Sequence, residues 1–242
     1  MIKKIATAVG LMAAASVTQA AELEITLTNA THGVYFTPVF AAAHNNTVSI
    51  FQSGSAASDA LESMAEGGDI SGLVTAATNA SANVADGGNS GAPGASNGPV
   101  GPGNSVTFTI NTDSGNDYLS LAAMLLPTND GFVGLSNWKI PTTAGTYRIN
   151  LNAYDAGTEN NDELAASIPN APFVSSFGTP GGQGNAVTSG GTGVTAAGDE
   201  NGVVHIHAGN LGDLNNTAGV SDINSSLHRW LNPVARLTVV VK

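Results

Sequence analysis

Four segments of the chain alternate apolar and polar residues with a period of two, and no other feature narrows its fold as much. From Glu22 to Asn29, Leu23, Ile25 and Leu27 are set against Glu24, Thr26 and Thr28. Val106, Phe108 and Ile110 repeat the pattern within Ser105 to Asn111, and Tyr147, Ile149, Leu151 and Ala153 within Thr146 to Tyr154. A last run, Ala235 to Val241, puts Leu237, Val239 and Val241 on one side, just after Pro233. Successive side chains of a strand point to opposite faces, so each run reads as a strand with one buried face. Tyr118 to Leu126 is more continuously apolar, as a strand buried on both faces would be. Irregular spacing between the strands excludes a repeat architecture. The expectation is an all-β fold, an antiparallel β-sandwich in one domain over residues 21 to 242.

Helices are scarce. Ser58 can cap a short one through Ala65, whose inward face is Leu61, Met64 and Ala65, with Gly67 and Gly68 stopping it. Asn79 to Asn104 is built almost entirely of Ala, Asn, Ser, Gly and Pro, and Gly178 to Gly202 is similar. They read as long exposed loops, poor in the apolar surface that offsets ordering entropy, and slow amide exchange in either would contradict this.

Charge restricts function. Seven Lys and Arg against 18 Asp and Glu give a formal net charge of -11, which disfavours nucleic acid and anionic lipid as partners. Met1 to Ala20 carries Lys3 and Lys4, an apolar run from Ile5 to Val17, and small residues before Ala21. That order reads as a secretory signal peptide cleaved near Ala20, and the run is short for a bilayer span of about 20 residues. The mature protein is then secreted or periplasmic, with no integral membrane association. No cysteine is present, so no disulfide staples the exported chain.

Two strand ends carry the chemistry. Met124 to Leu135 runs from the buried strand through Pro127-Thr128-Asn129-Asp130-Gly131 and out again through Phe132-Val133-Gly134. Leu151 to Glu159 ends a strand in Asp155-Ala156-Gly157-Thr158-Glu159. Thr31-His32-Gly33, Phe36-Thr37-Pro38, Ala43-His44-Asn45 and Trp230-Leu231-Asn232-Pro233-Val234-Ala235-Arg236 extend the pattern over most of the chain. In these residues the chain resembles the spondin domain, found in animal matrix proteins of the F-spondin and mindin type and in exported bacterial proteins. The resemblance implies a C2-like antiparallel β-sandwich, a calcium ion, and a non-catalytic role in extracellular adhesion or interaction with a protein or matrix partner. The animal members' cysteines, thrombospondin repeats and reeler domain are missing here.

Calcium takes six to eight oxygens at about 2.3–2.6 Å, which acidic side chains and carbonyls of neighbouring loops can supply. Asp130, Asp155 and Glu159 satisfy that chemistry, and they match the family's calcium-binding carboxylates, Glu159 standing where an Asp is usual. The same acids also suit solvated turns, as Asp and Gly commonly do. Asp162 and Glu163 read as solvating charge.

The competing function class is a metal-dependent hydrolase. His205 and His207 in Val203-Val204-His205-Ile206-His207 could share a strand face and take a third ligand from His32, His44 or His228. No G-x-S-x-G or H-E-x-x-H motif accompanies them. A purely structural matrix component is the third reading.

Overall fold

A computed structural model describes residues 20–85, 99–164, 167–168, 202–215 and 219–242. In chain order the elements are β1 (Glu22–Asn29), β2 (Tyr35–Phe36), β3 (Phe40–His44), α1 (Asp59–Gly67), α2 (Ser71–Asn79), β4 (Asn83–Val84), β5 (Ser105–Asn111), β6 (Tyr118–Leu126), β7 (Gly131–Lys139), β8 (Gly145–Asp155), β9 (His205–Ile206) and β10 (Ala235–Val241). The expected leader lies outside the described residues except for Ala20, and so does all of the Gly178 to Gly202 loop except Gly202.

Among the described residues these strands pair antiparallel throughout, and the main path runs β4-β3-β6-β7-β8-β10-β1-β5. The long strand β8 joins two layers. Its first part pairs with β10, Leu151 opposite Ala235, and its last four residues pair with β7, Gly131 opposite Asp155. The sheet thereby folds over on itself as a sandwich. Leu23, Ile25 and Leu27 of β1, Phe108 and Ile110 of β5, and Leu237, Val239 and Val241 of β10 meet Leu119, Leu121 and Leu125 of β6 and Val133 of β7 in one core. Leu151 and Ala153 are buried there too, and Ile149 packs half-buried at its edge. Each alternating run thus faces the interior as its period requires.

β6 is buried on both faces, which explains its continuous apolarity. Its second face, Ala122, Met124 and Leu126, joins Phe40, Ala42 and Phe132 in a second core roofed by Leu61, Met64 and Leu73 of the helices. α1 starts and stops as its sequence dictates. Ser58 Oγ accepts from the Leu61 amide, and Gly68 closes the helix in the left-handed conformation at φ 70°.

α2 is the second of the one or two short helices expected, at a place the sequence does not mark. Its Val and Thr residues carry weak helix propensity, and packing supplies what propensity lacks. Leu73 and Ala77 are buried in the second core, and a Cβ on Gly72 would lie 3.0 Å from that of Ala60, so the glycine lets the helices approach. The Asn79 to Asn104 segment is also partly structured. Asn83 and Val84 pair with β3, and Val100 exchanges backbone hydrogen bonds with Phe36 at 3.1 and 2.8 Å. Residues 86–98 of that loop lie outside the described part.

Candidate functional site

The β6–β7 turn is built around Thr128. Its hydroxyl donates to the Leu125 carbonyl at 2.6 Å and accepts from the Gly131 amide at 3.0 Å. A Cβ at position 131 would fall 2.7 Å from that hydroxyl, so the tight turn requires glycine there. The turn sets Asp130 beside the end of β8, where the Ala156 amide donates to the Asp130 carbonyl at 3.2 Å. The acids of the two loops are brought together by this ladder end.

Asp130 stitches the loops. Its Oδ2 accepts from the Thr158 amide at 2.8 Å, the Thr158 hydroxyl at 3.2 Å and the Glu159 amide at 3.1 Å. Its Oδ1 is buried and has no hydrogen-bond partner. Asp155 accepts from the Gly157 amide at 2.8 Å and from the Asn161 side chain at 2.6 Å. Gly157 sits at φ +73°, with the Val203 backbone nitrogen 2.5 Å from where a Cβ would be. Asp130, Asp155 and Glu159 are 0, 1 and 3 % exposed. Each predicted acid is therefore buried, which solvated turn residues are not, and Asp155 lies near enough for its charge to act on Asp130.

A fourth carboxylate was not foreseen. Glu66, in the last turn of α1, is buried with its Oε2 unpartnered, and it senses the charge of Asp130. Desolvation raises its pKa to about 7, against a lowering by the Thr158 side chain, with Glu62 and Asp130 adding repulsion. Asp130 is raised to about 6 by desolvation first and by the Asp155 charge second, against the Thr158 and Glu159 amides and His207. All five Lys and Arg beyond residue 20, namely Lys139, Arg148, Arg229, Arg236 and Lys242, are exposed. None of them is a buried counter-ion for these acids.

As the side chains stand, no three His, Asp or Glu groups among the described residues enclose a single ion position. The donor set nevertheless has the chemistry of a hard-cation site: oxygen ligands, buried, with an orphaned oxygen on Asp130. Asp162 and Glu163 do more than solvate. Asp162 Oδ1 accepts from Asn129, Leu164 and Ser167, and Glu163 accepts from the Leu211 and Gly212 amides, bracing the loops around the cluster.

The two histidines part company. β9 ends at Ile206, leaving His205 partly exposed and 3.9 Å from Asp155, whereas His207 is buried against Trp230 at a ring separation of 4.9 Å. His207 Nδ1 accepts from the Gly209 amide, so a neutral ring carries its proton on Nε2. His44 bonds Ser120 and the Asn45 carbonyl, and His228 Nδ1 accepts from the Asn224 amide, so these candidate third ligands are engaged elsewhere.

No curated protein matches the chain. The Spondin_N family profile matches residues 28–175, more than half of the chain and a span that contains Glu66, Asp130, Asp155 and Glu159. Strands β2 to β8, the Pro127 to Gly134 turn and the acidic loop after β8 fall inside that match, while β9, β10 and most of β1 flank it, and the chain belongs to the Spondin_N family.

Proposed function

We propose that the protein is exported, loses residues 1–20, and acts as a non-catalytic domain over residues 21–242 that binds one calcium ion through Asp130, Asp155 and Glu159. Glu66 contributes charge from the helix side. The observation that carries this reading is the Asp130 carboxylate: wholly buried, one oxygen without a hydrogen bond, other buried acids beside it, and every Lys and Arg of the mature chain at the surface. Buried charge of one sign is costly unless it is neutralised, and apart from the imidazoles of His205 and His207 only a proton or a cation is at hand to do so. A calcium ion would supply that neutralisation and tie the β6–β7 turn to the loop after β8, fixing the end of the sandwich for contact with an extracellular protein or matrix partner. Membership of the family and the leader-like N-terminus support the extracellular setting, and no described helix is long and apolar enough to cross a membrane.

Titration calorimetry of the mature protein with calcium tests this. The expected result is one site with Kd in the range of about 10⁻⁴ to 10⁻³ M, as in extracellular modules, abolished by Asp130→Asn with Asp155→Asn. Absence of calcium heat in the wild type, with the fold intact by circular dichroism, refutes it.

A further inference from the structure

β7 and β8 pair only from Gly131 to Gly134 and from Asn152 to Asp155. Beyond that point they diverge, β7 following β6 and β8 following β10, and the fork between them holds a cavity of about 310 Å³. That is the lower end of the range for small-molecule pockets, about 300–1,000 Å³. The strands supply Ser136, Asn137, Asn150, Asn152 and Tyr154, and the segment Phe51 to Ser53 forms a wall. The wall is fixed, because Ser136 Oγ donates to the Phe51 carbonyl at 2.7 Å. Gly134 lets the Phe51 ring lie against β7, since a Cβ there would be 2.7 Å from its Cζ.

The lining has a definite chemistry. Tyr154 is half-buried, its ring 4.8 Å from that of Phe51 and 5.6 Å from that of Phe132. Asn150, Asn152 and Tyr154 alternate along one face of β8, so two amides and one aromatic ring rise side by side. Among the described residues, the side-chain amides of Gln52, Asn150 and Asn152 have no hydrogen-bond partner. Among the described residues, none that lines the cavity is charged. Each amide offers both donors and an acceptor, as a sugar hydroxyl does, and an aromatic face suits the C–H face of a pyranose ring.

We propose that the β7–β8 fork binds a neutral saccharide unit, its hydroxyls met by Gln52, Asn150 and Asn152 and its apolar face by Tyr154. The site is independent of the acid cluster: Asp155 follows Tyr154 on β8 and projects to the opposite face, so saccharide binding persists in chelator and in Asp130→Asn.

The test is saturation-transfer NMR of the mature protein with glucose, galactose, mannose, N-acetylglucosamine and their disaccharides, with side-chain amide shifts mapped on ¹⁵N-labelled protein. At least one of these neutral sugars should bind in the millimolar range, moving the Asn150, Asn152 and Gln52 amide resonances. Asn150→Ala with Asn152→Ala, which removes no internal hydrogen bond, should weaken binding tenfold or more. The proposal is overturned if no sugar binds at concentrations up to about 50 mM, well above a millimolar Kd. It is equally overturned if the shifts map outside the fork, or if only an extended peptide moves these resonances. Mapping on the wild type decides the matter even if the double variant folds poorly.

Discussion

Replacing Asp130 by Asn should stabilise the calcium-free protein, and by more at higher pH. The amide oxygen can keep the bonds from the Thr158 and Glu159 amides, while the neutral group removes the charge that burial penalises. The folded pKa lies above the unfolded one, at about 6 against 3.8. Below pH 3.8 the carboxyl is protonated in both states and costs nothing; the penalty grows as pH rises and is complete above about 6. Two pKa units or slightly more, at 1.36 kcal/mol each, make the full penalty on the order of 3 kcal/mol, and about 1.4 kcal/mol of it develops between pH 5 and pH 8.

For a chain of this size 1 kcal/mol moves Tm by about 2–4 °C, so the gap between Asp130→Asn and wild type in chelator should widen by about 3–6 °C from pH 5 to pH 8. Scanning calorimetry in EDTA at both pH values measures it. Calcium at pH 8 should narrow or reverse the gap, because the cation supplies the neutralisation that the amide otherwise provides. Parallel pH dependences of the two proteins in chelator would mean that Asp130 ionises without cost, and the reasoning from its burial would fail.

At 10 mM calcium and pH 7 the wild type should gain about 1.4–2.7 kcal/mol for Kd between about 10⁻³ and 10⁻⁴ M, read as a Tm rise that Asp130→Asn with Asp155→Asn lacks. Apparent calcium affinity should fall as pH drops from 7 to 5, because the ion must displace protons held by Asp130 and Glu66; calorimetry at the two pH values checks this. Ser58→Ala should cost about 1 kcal/mol in chemical denaturation by removing the bond to the Leu61 amide. Gly157→Ala should destabilise the fold by more than 1 kcal/mol and weaken calcium binding, since the left-handed backbone and the Val203 nitrogen at 2.5 Å both reject a Cβ.

The sandwich was legible because burial on one face of a strand writes itself into the sequence with period two. Leu23, Ile25 and Leu27, or Leu237, Val239 and Val241, leave no other register. The second core was less legible because its helical roof carries weak signals. α2 has the composition of a loop, SGLVTAATN, and becomes a helix only where Leu73 and Ala77 are buried in the second core. Such tertiary stabilisation leaves no periodicity long enough to detect in nine residues.

The acidic site divides along the same line. Asp130 and Asp155 each sit where a strand runs into a glycine turn, and the pairing of Gly131 with Asp155 turns those separate marks into neighbours. Glu66 bears no such mark, since it precedes a Gly-Gly helix stop and is delivered to Asp130 by the packing of Met64 and Leu61 on the second core. Hence the two cores are coupled through charge. A helix seated by apolar contacts brings a carboxylate against a turn held by the sheet, and the resulting repulsion opposes both until a proton or a cation joins them. Loosening α1 should therefore relieve the burial and repulsion that Glu66 feels, and filling the acid site should in turn tighten the helix against β6.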